Sequence, residues 1–445
     1  MNQDNTLANA KRVLGRGDLM AMAIGQIIGA GIMALTGVAI GYTGKGASFA
    51  FLGAAVFTLC NAFPMVLLSG TVRLRGGQYT QASILLGKTM SGVYAIMSLI
   101  GNMSVAMFAL SFADYFRAIV PGAPRQLVAF LILTLLVVMN LLGVKSASIV
   151  QKIMVACLAG GIAVFIIFGL GKVQPDYFTS GGWMPNGIIG FLTASSTLAM
   201  ATSGATNMVN FGAEAKNPTK DIPVVIIVST LLVAAIYFLM GIVATGVLPI
   251  PQVANKSLSE TAKAIFPAPV YVFFIVGTAW FAISSTLNSI LAWAQKPVLQ
   301  AANDGFFPKW MGTTNKNGVA VFILALFYVL GLIAIFTGLN IQSISSFFLV
   351  LNNAFNIFLQ IAIIRIPKVL KKEWENSKYK VPMGVVVLSG IIGSGAALLS
   401  FSLQFAKLTP VLVICNIVVF VFAALYSTYR IKKGYVTQEV SYEES

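Results

Sequence analysis

Apolar runs of about 20 residues recur along nearly the whole chain, each long enough to cross a hydrocarbon core of about 30 Å as a single helix. Twelve such spans can be read, at 18 to 43, 48 to 71, 90 to 116, 126 to 143, 148 to 171, 187 to 214, 222 to 248, 269 to 301, 318 to 338, 341 to 365, 383 to 406 and 409 to 430. The strands of an outer-membrane barrel would instead alternate over roughly 10 residues. Only 9% of the 445 residues are charged, against about 25% in ordinary globular domains, so most of the chain cannot face water and no soluble domain of normal size remains. The reading is an all-α integral membrane protein with twelve transmembrane helices.

The opening MNQDNTLANA has neither a basic start nor a cleavage site, so the first span is expected to act as the insertion signal. With the N-terminus inside, 22 of the 29 lysines and arginines fall in cytoplasmic segments and seven outside. The positive-inside rule then places both termini in the cytoplasm, with the chain as a multi-pass protein of the cell (inner) membrane. The formal net charge of +16 is thereby explained by topology and calls for no nucleic acid. Histidine is absent, and Cys60, Cys157 and Cys415 lie within apolar runs, so neither a metal cluster nor a disulfide framework is expected. Segments 76 to 88 and 257 to 270 read as short amphipathic helices or plain loops at the two surfaces. The cytoplasmic tail, 431 to 445, is polar and expected to fray.

The first span carries IIGAGIMALTG, residues 27 to 37, and the sixth carries ATSGATN, residues 201 to 207. Glycine weakens helices, and paired interruptions in corresponding spans point to a transporter built on an inverted repeat. Five spans separate the two breaks, which predicts a first five-helix repeat over 18–171 and an inverted second repeat over 187–365. Broken helices 1 and 6 then sit in equivalent places, and helices 11 and 12, over 383–430, lie outside the repeat, as does the tail over 1–17.

Unpaired backbone groups are costly in hydrocarbon, so an unwound stretch needs protein, water or a ligand beside it. Half-helix N-termini suit a carboxylate, and C-terminal carbonyls suit an ammonium or a metal cation. An α-amino acid carries both. The carboxylate is expected on the amides of Ala30 and Gly31 and near Ser203 and Gly204, beside Gly29, Thr202 and Ala205. The ammonium is expected on carbonyls around Ile27, Ile28 and Met200. Gly25 and Gly37 are read as helix-packing residues.

These segments carry a resemblance. GQIIGAGIMALTG in span one, GAEAKNPTKDIP at 212 to 223 and AANDGFFPKW at 301 to 310 resemble signature segments of the amino acid–polyamine–organocation transporter superfamily. The resemblance covers nearly the whole chain and implies secondary transport by alternating access, with amino acids or derived amines as usual substrates. It also implies that a hydroxyl pair in span eight, here Ser284 and Ser285, joins carbonyls of Gly25 and Ile28 to hold a sodium ion. Many relatives place a lysine in span five at that position, and 153 to 171 has none, so sodium coupling and simple exchange both stand. No other cofactor is expected.

Within KNPTKDIP, Pro218 and Pro223 end and restart helices while Lys216, Lys220 and Asp221 stay in water. Glu214 reads either as a gate residue pairing with Lys216, Arg73 or Arg75 or as a solvated charge. No acid or base lies near the middle of any span, which argues for a neutral zwitterion as substrate. Tyr237, mid-span in the seventh helix, is the preferred aromatic contact, ahead of Trp280 and Trp293. Ser104 in span three reads equally as a substrate contact or a packing group. The cluster Asn352, Asn353 and Asn356 in span ten is read as interhelical hydrogen bonding, at about 0.6 kcal/mol each.

The function expected is a secondary active transporter of small neutral amino acids, by exchange or ion-coupled symport. An antiporter of cationic amino acids or amines is the alternative, and a non-transporting amino acid sensor is the alternative from another class. An enzyme would need histidines, a metal constellation or paired acids, which the chain lacks. The partners expected are an amino acid or amine, the lipid bilayer and no nucleic acid; a homo-oligomer stays open.

Overall fold

The computed structural model describes residues 14–74, 76–141, 144–212, 215–316, 318–438 and 442–443. Glu214 and Arg75, proposed above as a gate pair, lie outside them.

The first span is two helices, α1 (Arg16–Ile27) and α2 (Ala30–Thr43), bent by 41° at the Ile28–Gly29 junction. It is followed by α3 (Ala47–Ser69), by the two-residue strand β1 (Arg73–Leu74) and by α4 (Gln78–Leu86) at the surface. Span three is divided: α5 (Lys88–Gly101) and α6 (Val105–Ile119) are joined by a 3₁₀ turn at Asn102–Ser104. Then come α7 (Arg125–Leu141), α8 (Val144–Leu170) and α9 (Gly187–Thr202), whose axis tightens into a 3₁₀ stretch over Ser203–Phe211. The break expected in span six is therefore a narrowing of a continuous helix, whereas span one is opened.

The long α10 (Pro218–Gly246) starts at Pro218, where the missing N–H costs nothing. Short helices α11 (Ile250–Val253) and α12 (Ser259–Ile265) cover the end of the molecule poor in basic residues. Span eight consists of α13 (Ala268–Phe273), a π-helical segment Phe274–Trp280, α14 (Phe281–Trp293) and α15 (Gln295–Asn303). The chain continues through α16 (Val321–Phe336), α17 (Ile341–Ala362), short helices α18 (Ile366–Val369) and α19 (Lys371–Asn376), then α20 (Met383–Phe405) and α21 (Pro410–Lys432). Segments 76 to 88 and 257 to 270 thus contain the helices α4 and α12.

Among the described residues, eight helices are long and apolar enough to cross a membrane, or nine with the bent pair as one span. Three shorter apolar helices, Arg125–Leu141, Ala156–Leu170 and Val321–Phe336, accompany them. The outermost pair carries its apolar residues outward: Leu388, Ile391, Val411, Ile414 and Leu425 are all exposed. Such surface suits lipid and would not suit water.

The described residues of the tail, 431–438 and 442–443, are held against the protein where fraying was expected. Tyr442–Glu443 forms strand β2, antiparallel to β1, and the Thr437 N–H donates to the Asp304 carbonyl at 3.0 Å. The Gln438 amide donates to Tyr79 and Ser91. A polar tail stays ordered when its backbone and amides find partners on the protein.

Candidate functional site

The opening of span one is held by close approach. Gly29 has φ −161°, an extended backbone open to any residue. What requires glycine is space, because a Cβ there would lie 1.7 Å from the Thr286 Oγ1 of α14. A Cβ on Gly31 would lie 2.6 Å from the Ala201 Cα of α9, and one on Gly204 would lie 2.7 Å from the backbone of Gln26. The two interrupted spans therefore cross backbone to backbone beside span eight. Gly37 is a packing residue, with the Lys256 carbonyl 1.8 Å from where its Cβ would stand. Gly25 is buried within α1.

Tyr237 of α10 closes the back of this crossing. It is fully buried, and its hydroxyl donates to the Ile27 carbonyl at 2.5 Å. One of the carbonyls expected to meet an ammonium thus already has a protein donor. Met200 is similar, since its carbonyl accepts from the Ser203 hydroxyl at 3.2 Å. Thr202 faces α3, where its hydroxyl meets that of Thr58 at 2.7 Å, and Ala205 is fully buried.

In front of the crossing lies a cavity of about 200 Å³. It is smaller than the roughly 300–1,000 Å³ typical of drug-sized ligand sites. Of the residues expected to touch substrate, Met200, Ser203, Gly204 and Ser104 line it. Ile27, Ile28, Gly29, Gly31, Thr202, Ala205 and Tyr237 form the wall behind, and Ala30 opens α2. Ser284 and Ser285 are buried in α14, which packs against α1. Trp293 lines the cavity, whereas Trp280 stacks on Phe116 with ring centroids 5.2 Å apart.

The cavity runs along span three, past Tyr94, Ser98, Asn102, Ser104 and Phe108, and reaches Gln78 in α4. The 15 residues from Tyr94 to Phe108 correspond to roughly 20 Å of helix. Among the described residues its lining contains no Asp, Glu, Lys or Arg. Its polar character comes from amides and hydroxyls, and span ten supplies Asn352, Asn353 and Asn356. The interhelical reading of that cluster holds for Asn353, which donates to the Leu349 carbonyl and across to the Ser400 hydroxyl of α20, whereas Asn352 and Asn356 border the cavity without such a bond. Heptad-like apolar flanks hid this, because a helix facing a cavity and a helix facing a neighbour have the same periodicity.

A second cavity of about 260 Å³ lies at the opposite end, lined by Met33, Ser111, Asp114, Arg125 and Lys256 among others. On α6, Phe108 borders the first cavity and Ser111 the second, about one helical turn apart. Beside the second cavity the Tyr115 hydroxyl donates to the Met33 carbonyl at 3.2 Å and accepts from the Leu258 N–H at 3.1 Å. At the other end Arg16 pairs with Asp221 at 2.8 Å, and Tyr79 donates to the Asp304 carboxylate at 2.5 Å. Lys216 and Lys220 are exposed, as expected, whereas Asp221, expected in water with them, is buried against Arg16.

Comparison with known proteins matches residues 14–424 to a family model described as amino acid permease. The chain is 26% identical over 340 residues to the branched-chain amino acid permease BcaP of Bacillus subtilis, covering 72% of this chain and 73% of that protein. It is 25% identical over 375 residues to a methylthioribose transporter of the same organism, covering 75% and 80%. A vacuolar cationic amino acid transporter 2 of Arabidopsis thaliana is 26% identical over 322 residues, covering 67% of this chain and 51% of that one.

Proposed function

The chain belongs to the amino acid permease family, a family of multi-pass membrane transporters and not of enzymes, and from that membership we propose that it moves small neutral amino acids across the cell membrane by alternating access. The observation that carries the neutral reading is the cavity beside the span-one break, whose described lining bears no ionised side chain. A charged ligand group in a low-dielectric cavity requires an opposite charge or several dipoles, whereas a zwitterion brings its own balance and needs only backbone ends and dipoles.

Two features support the mechanism. The break leaves the first amides of α2 without helical partners, a place for a carboxylate. The two cavities also approach from opposite ends to within about one turn of α6, between Phe108 and Ser111, so a small rearrangement of the packing there would exchange which end is connected. In this reading the twelve spans form the five-plus-five inverted repeat with α20 and α21 outside it, and both termini lie in the cytoplasm with the first cavity extending toward that side.

Sodium coupling is part of the proposal as one of two modes. Gly25 and Ile28 carbonyls with Ser284 and Ser285 hydroxyls are a neutral, hard-oxygen set whose chemistry suits sodium, and the packing of α1 on α14 brings the two elements together. A cationic substrate is the second reading, favoured by the ring faces of Tyr94 and Trp293 in the lining.

Uptake of labelled amino acids into proteoliposomes tests the proposal, with counter-loaded amino acid in one arm and a sodium gradient in the other. Neutral amino acid uptake in either arm is expected. Uptake of arginine alone would replace the proposal with the second reading, and ligand binding without uptake in either arm would favour a sensor.

A further inference from the structure

Apart from Gln78, whose oxygen accepts from the Tyr94 hydroxyl at 2.7 Å, the amides lining the first cavity fall into two classes. Asn61, Asn102 and Asn353 each donate to the carbonyl one turn back in their own helix, Phe57, Ser98 and Leu349, at 3.0, 2.7 and 2.8 Å. Those groups are satisfied by the protein and belong to it. Gln26, Asn207, Asn352 and Asn356 line the same cavity and make no side-chain hydrogen bond within the described protein. The Gln26 Oε1 is moreover buried with no partner.

Their placement is concerted. Gln26 stands in the last turn of α1, before the break, and Asn207 in the 3₁₀ stretch that follows α9. Asn352 and Asn356 are four residues apart on α17, hence on one face, and face the cavity together. Interhelical pairing, the ordinary use of polar groups in a bundle, is not how these four are used. Each carboxamide carries two donors and an acceptor and no charge. It complements a group that also donates and accepts, a hydroxyl or another carboxamide. It cannot neutralise an ion, and covering it with hydrocarbon leaves its hydrogen bonds unmade.

We propose that the cavity selects amino acids whose side chain is uncharged and hydrogen-bonding, a carboxamide or a hydroxyl, with Asn352 and Asn356 receiving the side-chain polar group and Gln26 and Asn207 flanking the backbone end. This rests on the transport of neutral amino acids proposed above and names the class within it. Sites built to hydrogen-bond a substrate group reject the analogue lacking that group far more strongly than apolar pockets reject an extra methylene. An aliphatic side chain is therefore disfavoured here by roughly tenfold or more.

The test is ligand-induced thermal stabilisation of the purified full chain with serine, threonine, asparagine, glutamine, valine, leucine and arginine as probes. In the unsubstituted protein, the hydroxyl and amide side chains are expected to bind at least about tenfold more tightly than valine and leucine. In Asn352→Leu and Asn356→Leu the preference is expected to narrow or invert, with leucine gaining. Leucine binding as tightly as glutamine in the unsubstituted protein overturns the inference while leaving transport of neutral amino acids standing. An unchanged ranking in both folded variants overturns the assignment to span ten. Arginine binding in preference to every neutral probe overturns the inference and the neutral reading together. The ranking in the unsubstituted protein decides the matter even where a variant fails to fold.

Discussion

The hydroxyl of Tyr237 donates to the carbonyl of Ile27, the last residue of α1, from a helix 210 residues further along the chain. The bond joins α10 to the point where span one opens, and it does so from behind the cavity. Tyr237 thus ties α10 to the end of α1 where span one opens.

Tyr237→Phe keeps the ring and removes the donor. A buried carbonyl left without its partner costs about 1–3 kcal/mol, and every 1.4 kcal/mol is about tenfold. Initial uptake is expected to fall roughly tenfold while the midpoint of ligand-induced stabilisation moves little. Complete loss of ligand stabilisation would place the tyrosine in the site itself.

Gly29 and Gly31 differ in what they approach. A methyl at Gly29 meets the hydroxyl end of Thr286, a side chain that can be shortened, whereas a methyl at Gly31 meets the backbone of Ala201. Overpacking of this kind costs about 1–3 kcal/mol. Gly29→Ala is expected to regain much of its lost melting temperature when combined with Thr286→Ala, and Gly31→Ala is expected to regain none. Additive losses for Gly29→Ala and Thr286→Ala would contradict the close approach.

Arg16 is 45% exposed in its side chain and Asp221 7%. An ion pair with one wet partner contributes about 0.2–1 kcal/mol and weakens with salt. A double-mutant cycle of Arg16→Gln with Asp221→Asn is expected to give a coupling in that range at low salt and less at high salt, read from melting. A coupling that salt leaves untouched would mean that the pair is shielded from water.

Removing the residues after Lys433 takes away the pairing of β2 with β1 and the contacts of Thr437 and Gln438. Burial, and then the neighbouring Asp304 carboxylate, push the Tyr79 hydroxyl well above the ordinary phenol range, so it stays a donor throughout the physiological pH range. The tail docks onto an ordered platform. Amide exchange at Arg73 and Leu74 is expected to speed up roughly tenfold or more in the truncated protein, with the spans unaffected. Unchanged exchange would show that the tail does not protect this surface.

Local sequence carried a good part of the site. Glycines at 31 and 204 mark where spans one and six meet backbone to backbone, and Gly29 marks where span one meets the Thr286 side chain of span eight; that exclusion of larger residues is visible in residue type alone. The side of a helix that Asn352 and Asn356 face was not visible, since an amide turned to a cavity and an amide turned to a neighbouring helix occupy the same positions in the same apolar run. Tyr237 shows the converse. Its mid-span position marked it as functional, while its depth relative to the cavity depends on how α10 leans on α1.

The sequence by itself determined the membrane-embedded helical class, the family resemblance and the interruption of span one, because length, apolarity, charge bias and glycine spacing are properties of single segments in a solvent of known thickness. Only the tertiary structure decided that span six narrows without opening, that Tyr442–Glu443 pairs with Arg73–Leu74, and which lining amides find partners within the described protein. Those outcomes depend on which hydrogen-bond partners distant segments bring within about 3 Å of one another, and no local pattern records that.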